Sequence, residues 1–153
     1  MADLITRLYA APDHAACMAL FDSNVPRDFA PAERPDFAGF LDGLPDNPAC
    51  YLVLCLDGAV VACGGLVLKA HAAEARLSWG RVARDRHRMG LGRQLLQTRL
   101  DIARATPGLD SVAIETTPLS AGFYARFGFG VCGITPDGFG PGLDRWDMRL
   151  TLR

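Results

Sequence analysis

Apolar and polar positions alternate along this chain with two periods, one typical of strands and one typical of helices. Near the middle, the runs CYLVLCL and AVVACGGLVL are almost wholly apolar and are joined by Asp57-Gly58, a dipeptide that favours a two-residue hairpin turn. Gly64-Gly65 inside the second run indicates a bulge or a close backbone approach. We therefore predict a buried β-hairpin at this point of the chain.

Helical spacing marks segments on either side of that hairpin. Before the hairpin, Pro12 and Asp13 are typical of a helix N-terminus and predict a first helix over HAACMALF. A second helix is predicted from Phe37 onward, where apolar residues recur at i, i+3, i+4 and i+7. After it, the helical pattern of LGRQLL runs to about Ala105, where TPG ends it. A short fourth helix is predicted within PLSAGFYARFG.

The remaining predicted strands complete a mixed α/β pattern. They are LITRLY (4–9), EARLSWGRVA (74–83), SVAIETT (111–117), FGVCGI and RWDMRLTLR, the last of which alternates apolar and polar residues. TPDGFGPG (135–142) is predicted to be a loop. A helix joins strands 74–83 and 111–117, so these two should be parallel, with a right-handed crossover. We predict one mixed-sheet α/β domain over residues 1–153.

Composition and charge exclude several classes of function. The 153 residues are 50% hydrophobic and 22% charged, with a formal net charge of −1, so no general basic field attracts nucleic acid. The longest apolar run, at 59–68, is too short to span a bilayer, and the start of the chain lacks the pattern of a secretory signal. We expect a cytoplasmic protein without a nucleic-acid or membrane partner.

The five cysteines show no CxxC spacing, and neither they nor the three histidines are spaced as zinc ligands, so no metal is expected. All but Cys17 lie in apolar, strand-like stretches, which predicts small core residues in a reducing compartment. Cys63 could serve as a nucleophile. Because no histidine is near it in the sequence, a buried structural thiol is the favoured interpretation.

The stretch RHRMGLGRQLL places basic residues and two glycines before a helix. A helix N-terminus presents free backbone N–H groups and partial positive charge, which bind phosphate, and Arg86, Arg88 and Arg93 add charged donors. A Walker loop would need Lys-Ser/Thr after the second glycine, and Leu95 stands where a dinucleotide fingerprint has its third glycine. Taken alone, the stretch is equally consistent with a helix start that carries solvated arginines.

A second signal lies downstream in AIETTPLSAGFYARFGF (113–129). It combines a strand, a turn, a short helix and a Gly-Phe pair, and it carries Tyr124 on that helix. From there the tyrosine hydroxyl can reach the gap between the two parallel strands. The alternative is a half-buried core tyrosine beside Phe123 and Phe127, a common role for an amphipathic aromatic residue.

Together the two segments resemble the GNAT superfamily of acyl-CoA-dependent N-acyltransferases. In VARDRHRMGLG, Val82 stands at the strand end and Gly90 and Gly92 match the family's two small residues, while FYARFGF is similar to its Phe-Tyr-x-x-x-Gly-Phe junction. The resemblance covers nearly the whole chain, including the final hairpin. It implies a GNAT-like fold with a central, mostly antiparallel sheet of six or seven strands, a splayed pair of parallel strands and about four helices.

The resemblance also implies a cosubstrate and a site. Acetyl-CoA would enter between the splayed strands, and an amine of a small molecule or peptide would attack the acetyl group directly. The residues that the resemblance assigns to binding acetyl-CoA are Arg81, Val82, His87, Arg88, Met89, Gly90, Leu91, Gly92, Arg93, Thr117 and Tyr124. His87 and Thr117 depart from the residues most frequent in the family at those positions.

Two proton transfers accompany acetyl transfer. By the resemblance, Tyr124 is the acid that protonates the departing thiolate. Glu115, in the strand beside the cleft, is the candidate base for the amine, directly or through water. The alternative for Glu115 is an outward-facing carboxylate paired with a surface arginine.

Two functions remain open from the sequence. The first is an N-acetyltransferase, and the second is a GNAT-like module that binds acyl-CoA or a partner protein without turnover; Tyr124 and the GxG loop favour the first. Phe29, Phe37, Phe40 and Phe139 lie in segments that the family places around the acceptor cleft, and they either line that cleft or form core. The sequence does not specify the acceptor amine, and the resemblance allows a homodimer.

Overall fold

A computed structural model of the chain describes residues 4–25, 31–44, 50–68, 73–82 and 90–152. Within these residues, the strands are β1 (Leu4–Leu8), β2 (Cys50–Leu56), β3 (Ala59–Leu68), β4 (Glu74–Val82), β5 (Ser111–Thr116), β6 (Gly130–Gly140) and β7 (Leu143–Thr151). The α-helices are α1 (His14–Ser23), α2 (Arg34–Gly43), α3 (Leu91–Ala105) and α4 (Pro118–Ala125). A short 3-10 turn precedes each of α1 and α2.

The described strands form one seven-stranded sheet in the order β1-β2-β3-β4-β5-β7-β6. Every neighbouring pair is antiparallel except β4 and β5, which are parallel and connected through α3. Asp57 and Gly58 both have positive φ, +51° and +88°, as the primed turn of a two-residue hairpin requires. The predicted mixed, mostly antiparallel sheet is therefore confirmed.

The alternation of side chains along the strands directs α1 and α2 to one face of the sheet and α3 to the other. In β2, Tyr51 and Val53 pack with the α1–α2 pair, whereas Leu52 and Leu54 pack with the start of α3. The alternation predicted for the last strand is also observed, since Met148 in β7 is buried against α3 and α4. The two helical layers thus bury both faces of the central strands.

The last hairpin differs from its prediction. Residues 135–142 were expected to form a loop, but β6 continues as far as Gly140, so that prediction was wrong. The Asp137 backbone N–H donates to the Asp144 carboxylate (2.9 Å), and the Asp137 carboxylate accepts from the Gly142 N–H (2.8 Å). These side-chain hydrogen bonds hold the two strands together across a stretch where the ladder itself is irregular.

Three of the cysteines, Cys17, Cys55 and Cys63, are buried as predicted. Cys132 is exposed, so its prediction as a core residue was wrong. It lies on β6, the edge strand of the sheet, where the neighbouring Val131 is also 49% exposed. A short apolar run has the same appearance in an edge strand as in a buried one, which explains the error.

No helix in the described part of the chain is long and apolar enough to cross a membrane. Among the same residues, no three His, Cys, Asp or Glu side chains are grouped so that they could hold a metal ion. The cytoplasmic location and the single domain over residues 1–153 stay predictions.

Candidate active site

The two parallel strands separate shortly after they meet. Within the described residues, β4 and β5 pair only over Glu74–Arg76 and Ser111–Ala113. Beyond that point β4 follows β3 as far as Val82, and β5 follows β7 as far as Thr116. The splayed pair that the resemblance implied is therefore present, and it opens a gap in the middle of the sheet.

A strained tryptophan bends β4 beside this gap. The β3–β4 register shifts between Cys63 and Gly65, where the glycine pair of the sequence predicted a bulge, and the opposing Trp79 has a φ of +44°. A bulky residue in the left-handed region costs free energy that surrounding contacts must offset. The Trp79 carbonyl accepts hydrogen bonds from the Tyr51 hydroxyl (2.9 Å) and the Arg81 guanidinium (3.1 Å).

Residues of α2 and of the end of α1 contact the end of β4 and hold it in place. The Arg81 side chain is buried there, with its guanidinium carbon 3.8 Å from the centre of the Phe37 ring and 5.6 Å from that of Trp79. Asn24, just after α1, is buried and donates a hydrogen bond to the Val82 carbonyl (2.9 Å). These contacts hold the strand end at which the acyl group is expected.

The helix predicted to bind phosphate, α3, starts close to β4 and α4. Gly90 precedes its first residue with a φ of +79°, a conformation that glycine adopts without strain. A Cβ on Gly92 would lie 3.6 Å from the side chains of both Val82 and Phe123, so a small residue allows this approach. The predicted binding residues His87, Arg88 and Met89, and the basic Arg86, lie outside the described residues.

An open groove runs beside the first turns of α3. It is lined by Gly90, Arg93, Gln94, Gln97, Thr98 and Phe127. The exposed Arg93 places its guanidinium carbon 5.9 Å from the centre of the Phe127 ring. The groove therefore combines a positive charge, an aromatic face and the positive end of a helix dipole.

Tyr124 lies in α4 with its ring in the core. It is 9% exposed, and the ring packs edge-on against Phe123 and Phe129, with centroids 5.2 and 5.6 Å away. Burial lowers the pKa of Arg99 on α3, and the Tyr124 hydroxyl partly opposes this change. The Tyr124 ring is thus packed in the core, and the role of its hydroxyl as an acid stays a prediction.

Two buried hydroxyl groups beside the gap have no hydrogen-bond partner among the described residues. One is the Ser78 Oγ, in β4 just past the last pair with β5, and the other is the Thr117 Oγ1, where β5 ends and α4 begins. Buried polar groups are nearly always paired in a working protein. These two hydroxyls fit a bound ligand that carries hydrogen-bonding groups along the gap.

Glu115 faces a charged surface of the sheet. It is exposed, and its carboxylate forms an ion pair with Arg76 of the neighbouring β4. On the same face Glu74 pairs with Arg149 (2.8 Å), and Asp147 lies directly opposite Glu115 in β7. The structure thus shows the surface ion pair that was the alternative for Glu115, in a shallow cavity lined by these residues.

Aromatic side chains cover the face of the sheet under α2. Phe37 is fully buried and Phe40 is half-buried, and their rings lie 5.1 and 6.3 Å from the Trp79 ring, centre to centre. Both therefore belong to the core beside the bulge. Phe139 is half-buried in β6, and Phe29 lies outside the described residues.

Cys63 is fully buried next to the bulge, as its interpretation as a structural thiol required. Its sulfur lies 3.2 Å from the Tyr51 hydroxyl oxygen, within hydrogen-bonding distance. Burial alone would raise the pKa of Cys63, but a hydrogen bond from the Cys17 thiol and the charge of Arg81 outweigh it and lower that pKa. The pKa of Cys17 is raised by its hydrogen bond with Cys63 and by burial.

Comparison with known families agrees with this geometry. The sequence profile of the acetyltransferase (GNAT) family matches residues 8–129, most of the chain. The chain belongs to the GNAT family. No curated protein matches it significantly in sequence.

Solved structures share the fold of this GNAT chain. A GNAT-family protein from Desulfovibrio desulfuricans superposes with a TM-score of 0.83 at 20% identity, over 100% of both chains. The ribosomal-protein-S18-alanine N-acetyltransferase from Escherichia coli gives 0.81 at 18% identity, over 98% of this chain and 94% of its own. The protein yncA from Salmonella typhimurium, solved with its cofactor acetyl-CoA, gives 0.76 at 19%, over 99% and 95%. At these identities the likeness establishes the fold.

Sequence reasoning missed three residues that shape the site of this GNAT protein: Asn24, Tyr51 and Arg99. Arg99 had a detectable signal, because it follows Leu95 by four positions and so falls on the apolar stripe of α3. Tyr51 had a weaker signal, because its hydroxyl is a polar group within the otherwise apolar run CYLVLCL and needs a buried partner. The sequence around Asn24 does not predict its hydrogen bond to the Val82 carbonyl, 58 positions away.

Proposed function

We propose that this GNAT protein is an N-acetyltransferase that moves an acetyl group from acetyl-CoA to a primary amine of a small molecule or peptide. The observation that carries the proposal is the separation of β4 and β5. A gap between two parallel strands can receive an extended ligand that pairs with a free backbone edge. Acetyl-CoA carries such a ligand in its pantetheine arm, and the yncA structure of the same fold contains acetyl-CoA.

The proposed position of the pantetheine arm is the gap itself. The unpaired Ser78 and Thr117 hydroxyls can bond its amide groups. Arg81 and Val82 would contribute backbone groups, because the Arg81 guanidinium is stacked on Phe37 and held by the core. A backbone N–H near Val82 would hold the thioester carbonyl and stabilise the oxyanion that forms during attack.

The proposed position of the pyrophosphate is the start of α3. Backbone N–H groups of residues 87 to 93 would bind the phosphate oxygens, with Gly90 and Gly92 allowing close approach and Leu91 contributing its N–H. His87, Arg88, Met89 and Arg93 would complete this cradle. The groove between Arg93 and Phe127 continues from the same helix end, and it offers a cation and an aromatic face to the rest of the coenzyme.

The proposed reaction takes place in a ternary complex without an acyl-enzyme. The amine nitrogen attacks the acetyl carbonyl carbon, the carbon–sulfur bond breaks, and the coenzyme thiolate receives a proton from the Tyr124 hydroxyl. Holding both reactants in one cleft supplies much of the rate. The nitrogen loses its proton to solvent or to Glu115, which would have to act through water while Arg76 holds it.

Isothermal titration with CoA tests the binding half of the proposal. Gly90 has a positive φ, so a side chain there would strain the backbone as well as block phosphate. The sharper variant is Arg93→Glu, which reverses an exposed charge in the first turn of α3. Its matched control is Arg104→Glu, an exposed arginine in the last turn of the same helix. We expect CoA affinity to fall about tenfold or more in the first variant and to stay near wild type in the second.

Turnover separates the enzyme from the alternative, a module that binds acyl-CoA or a partner protein without catalysis. Wild-type protein that binds CoA and acetylates amines from a mixed panel would support the proposal, with kcat reduced by Tyr124→Phe by roughly a hundredfold. Binding without turnover on any amine would favour the module. Absence of CoA binding by the wild-type protein would refute the proposed function. The homodimer that the resemblance allows stays a prediction.

A further inference from the structure

Charged side chains cluster on the face of β4, β5 and β7 that lies opposite α3 and α4. Alternation along the strands places them there, because Leu77, Ile114 and Met148 of the same strands pack with α3 and α4. Each carboxylate of the cluster has an arginine partner, so the cluster is electrically balanced. The three ion pairs are Glu74 with Arg149 (2.8 Å), Asp147 with Arg145 (3.3 Å) and Glu115 with Arg76.

The pair of Arg76 and Glu115 differs from the other two by its place at the gap. Arg76 belongs to the last residue pair between β4 and β5, with Ala113, and Glu115 lies two positions farther along β5. The ion pair therefore crosses from one strand to the other where backbone pairing stops. The opposite face of these strands is packed under α3 and α4, so an amine can approach the gap from the face that carries this pair.

A shallow cavity of about 240 Å³ surrounds the ion pair. Its volume lies below the range typical of sites for drug-sized ligands, roughly 300 to 1,000 Å³, so it suits a small molecule. The Arg76 and Glu115 side chains are 37% and 40% exposed, so a ligand can reach both of them. The polar side chains that line the cavity are those of Glu74, Arg76, Glu115, Cys132, Asp147 and Arg149.

Arg76 has hydrogen-bond donors that Glu115 does not use. Its guanidinium donates to the Glu115 carboxylate through Nη1, and its Nε is buried with no hydrogen-bond partner among the described residues. A guanidinium has five N–H donors and can bind a carboxylate through two of them at once. Arg76 can therefore bind a carboxylate that arrives with a ligand.

A ligand with an ammonium group alone does not match this balanced cluster. If that group paired with Glu115, Arg76 would lose its anion, and a partly buried charge without a partner is costly. A ligand that carries both an ammonium and a carboxylate can exchange partners with the ion pair, so every charge stays compensated. Because the Arg76 and Glu115 side chains are in contact, the two charged groups of the ligand must also lie close together. An α-amino acid has this arrangement, whereas the N-terminal residue of a peptide has an amide in place of the carboxylate.

We propose that the acceptor of this GNAT protein is a free α-amino acid, whose carboxylate binds Arg76 and whose amino group binds Glu115 at the edge of the gap. This inference rests on the proposed function and narrows its acceptor from primary amines in general to amines with a neighbouring carboxylate. Arg76 is then the residue that determines specificity, because it distinguishes that carboxylate from the amide of a peptide.

Acetylation of matched acceptors tests the proposal. The acceptors are L-amino acids, each supplied as the free acid and as its amide, with acetyl-CoA as the donor. For the best acceptor we expect wild-type kcat/KM to be about tenfold or more higher with the acid than with the amide. Arg76→Gln should raise KM for the acid about tenfold or more and should not impair the amide, which makes no use of the guanidinium. Arg76→Lys should keep part of the preference, because it retains the charge without the planar donors.

The matched control is Arg34→Gln, which removes another half-exposed ion pair, with Asp22 between α1 and α2, and should change neither acceptor. Wild-type turnover without a preference for the acid would overturn the inference and leave the proposed function intact. Equal losses with acid and amide in Arg76→Gln would also overturn it, since a purely structural ion pair affects both alike. If the wild-type protein acetylated no amine, the proposed function would be refuted, and the inference with it.

Discussion

Trp79 illustrates how single residues maintain the shape of this site. Its left-handed backbone is unfavourable for a large side chain, and hydrogen bonds from Tyr51 and Arg81 that converge on its carbonyl help to offset this cost. Tyr51 is fully buried and spans the distance from β2 to this carbonyl. The conformation of one strained peptide is thereby fixed by a residue almost thirty positions away.

Removing the Tyr51 hydroxyl should therefore destabilise the bulge. We expect Tyr51→Phe to lower the free energy of unfolding by about 1 to 2 kcal/mol, because the Trp79 carbonyl loses its buried hydroxyl donor and the Cys63 sulfur loses a polar neighbour. Urea denaturation followed by fluorescence measures this change. The matched control is Tyr9→Phe, a half-buried tyrosine, which should cost much less. Equal losses in the two variants would contradict the role given to Tyr51.

At the scale of elements, the Asp13 carboxylate links the turn that precedes α1 to Arg7 of β1. Asp13 occupies the predicted N-cap position, but its side chain does not cap α1. Instead it accepts two hydrogen bonds from Arg7 (2.7 and 2.9 Å) and one from the Ala10 N–H (2.9 Å). The hydrogen bond from Arg7 lowers the pKa of Asp13 despite partial burial.

The sign of this pKa change gives a pH prediction. A carboxyl whose pKa is lower in the folded state contributes stability above its unfolded value of 3.8, and this stability is lost as pH falls through the folded value. Near neutral pH, Asp13→Asn should lower the free energy of unfolding by about 2 kcal/mol. The difference between wild type and variant should shrink below pH 3.8, as acid titration under urea would show. A difference that stays constant with pH would argue against this ion pair.

The packing of α3 on the β3–β4 pair gives a second prediction for elements. Gly80→Ala should destabilise the protein by about 1 to 3 kcal/mol, because the atoms nearest to the new Cβ all belong to the Arg99 guanidinium. In an Arg99→Ala background most of that cost should vanish. Gly64→Ala is the matched control: its Cβ also meets the Gly80 Cα at 3.1 Å, so part of its cost should persist in both backgrounds. Urea melts of the double-mutant cycles distinguish the two glycines, and a Gly80→Ala cost independent of Arg99 would contradict this packing.

For the whole molecule, the sheet consists of two antiparallel halves that meet in a short ladder. β1 to β4 form one half and β5 to β7 the other, and three residue pairs join them before the gap. Each half contributes one wall of the proposed coenzyme site. We therefore expect CoA to affect the interior of the sheet more than its edges.

Hydrogen exchange tests that expectation. With CoA bound, the amides of 77–82 and 114–117 should exchange more slowly, because the coenzyme excludes water and pairs with one strand edge. The amides of β1, at the far edge of the sheet, serve as the internal control. At a CoA concentration of about 100 times Kd, the free energy of unfolding should rise by about 2.7 kcal/mol. Equal protection of β1 and the gap would indicate global stabilisation without a ligand at this position.

The sequence predicted elements well where their stability comes from local periodicity and turn residues. The hairpin at Asp57-Gly58, the helix α3 and the alternation of β7 all follow from such patterns. The extension of β6 depends on side-chain bonds from Asp137 across the hairpin, and no pattern within β6 reveals it. The Arg99 and Tyr51 contacts join distant segments, so only the folded chain displays them.

The three-pair ladder has a consequence for the protein before it meets its coenzyme. An unpaired strand edge is a template for any extended chain, and folded proteins usually place such edges at the rim, where charges or coverings protect them. Among the described residues, β4 beyond Arg76 and β5 beyond Ala113 present two such edges to each other inside the sheet. Extended segments of other chains, including other copies of this protein, can pair with these edges. In the proposed complex the pantetheine arm covers these two edges, so we expect the protein to aggregate less readily with CoA than without it.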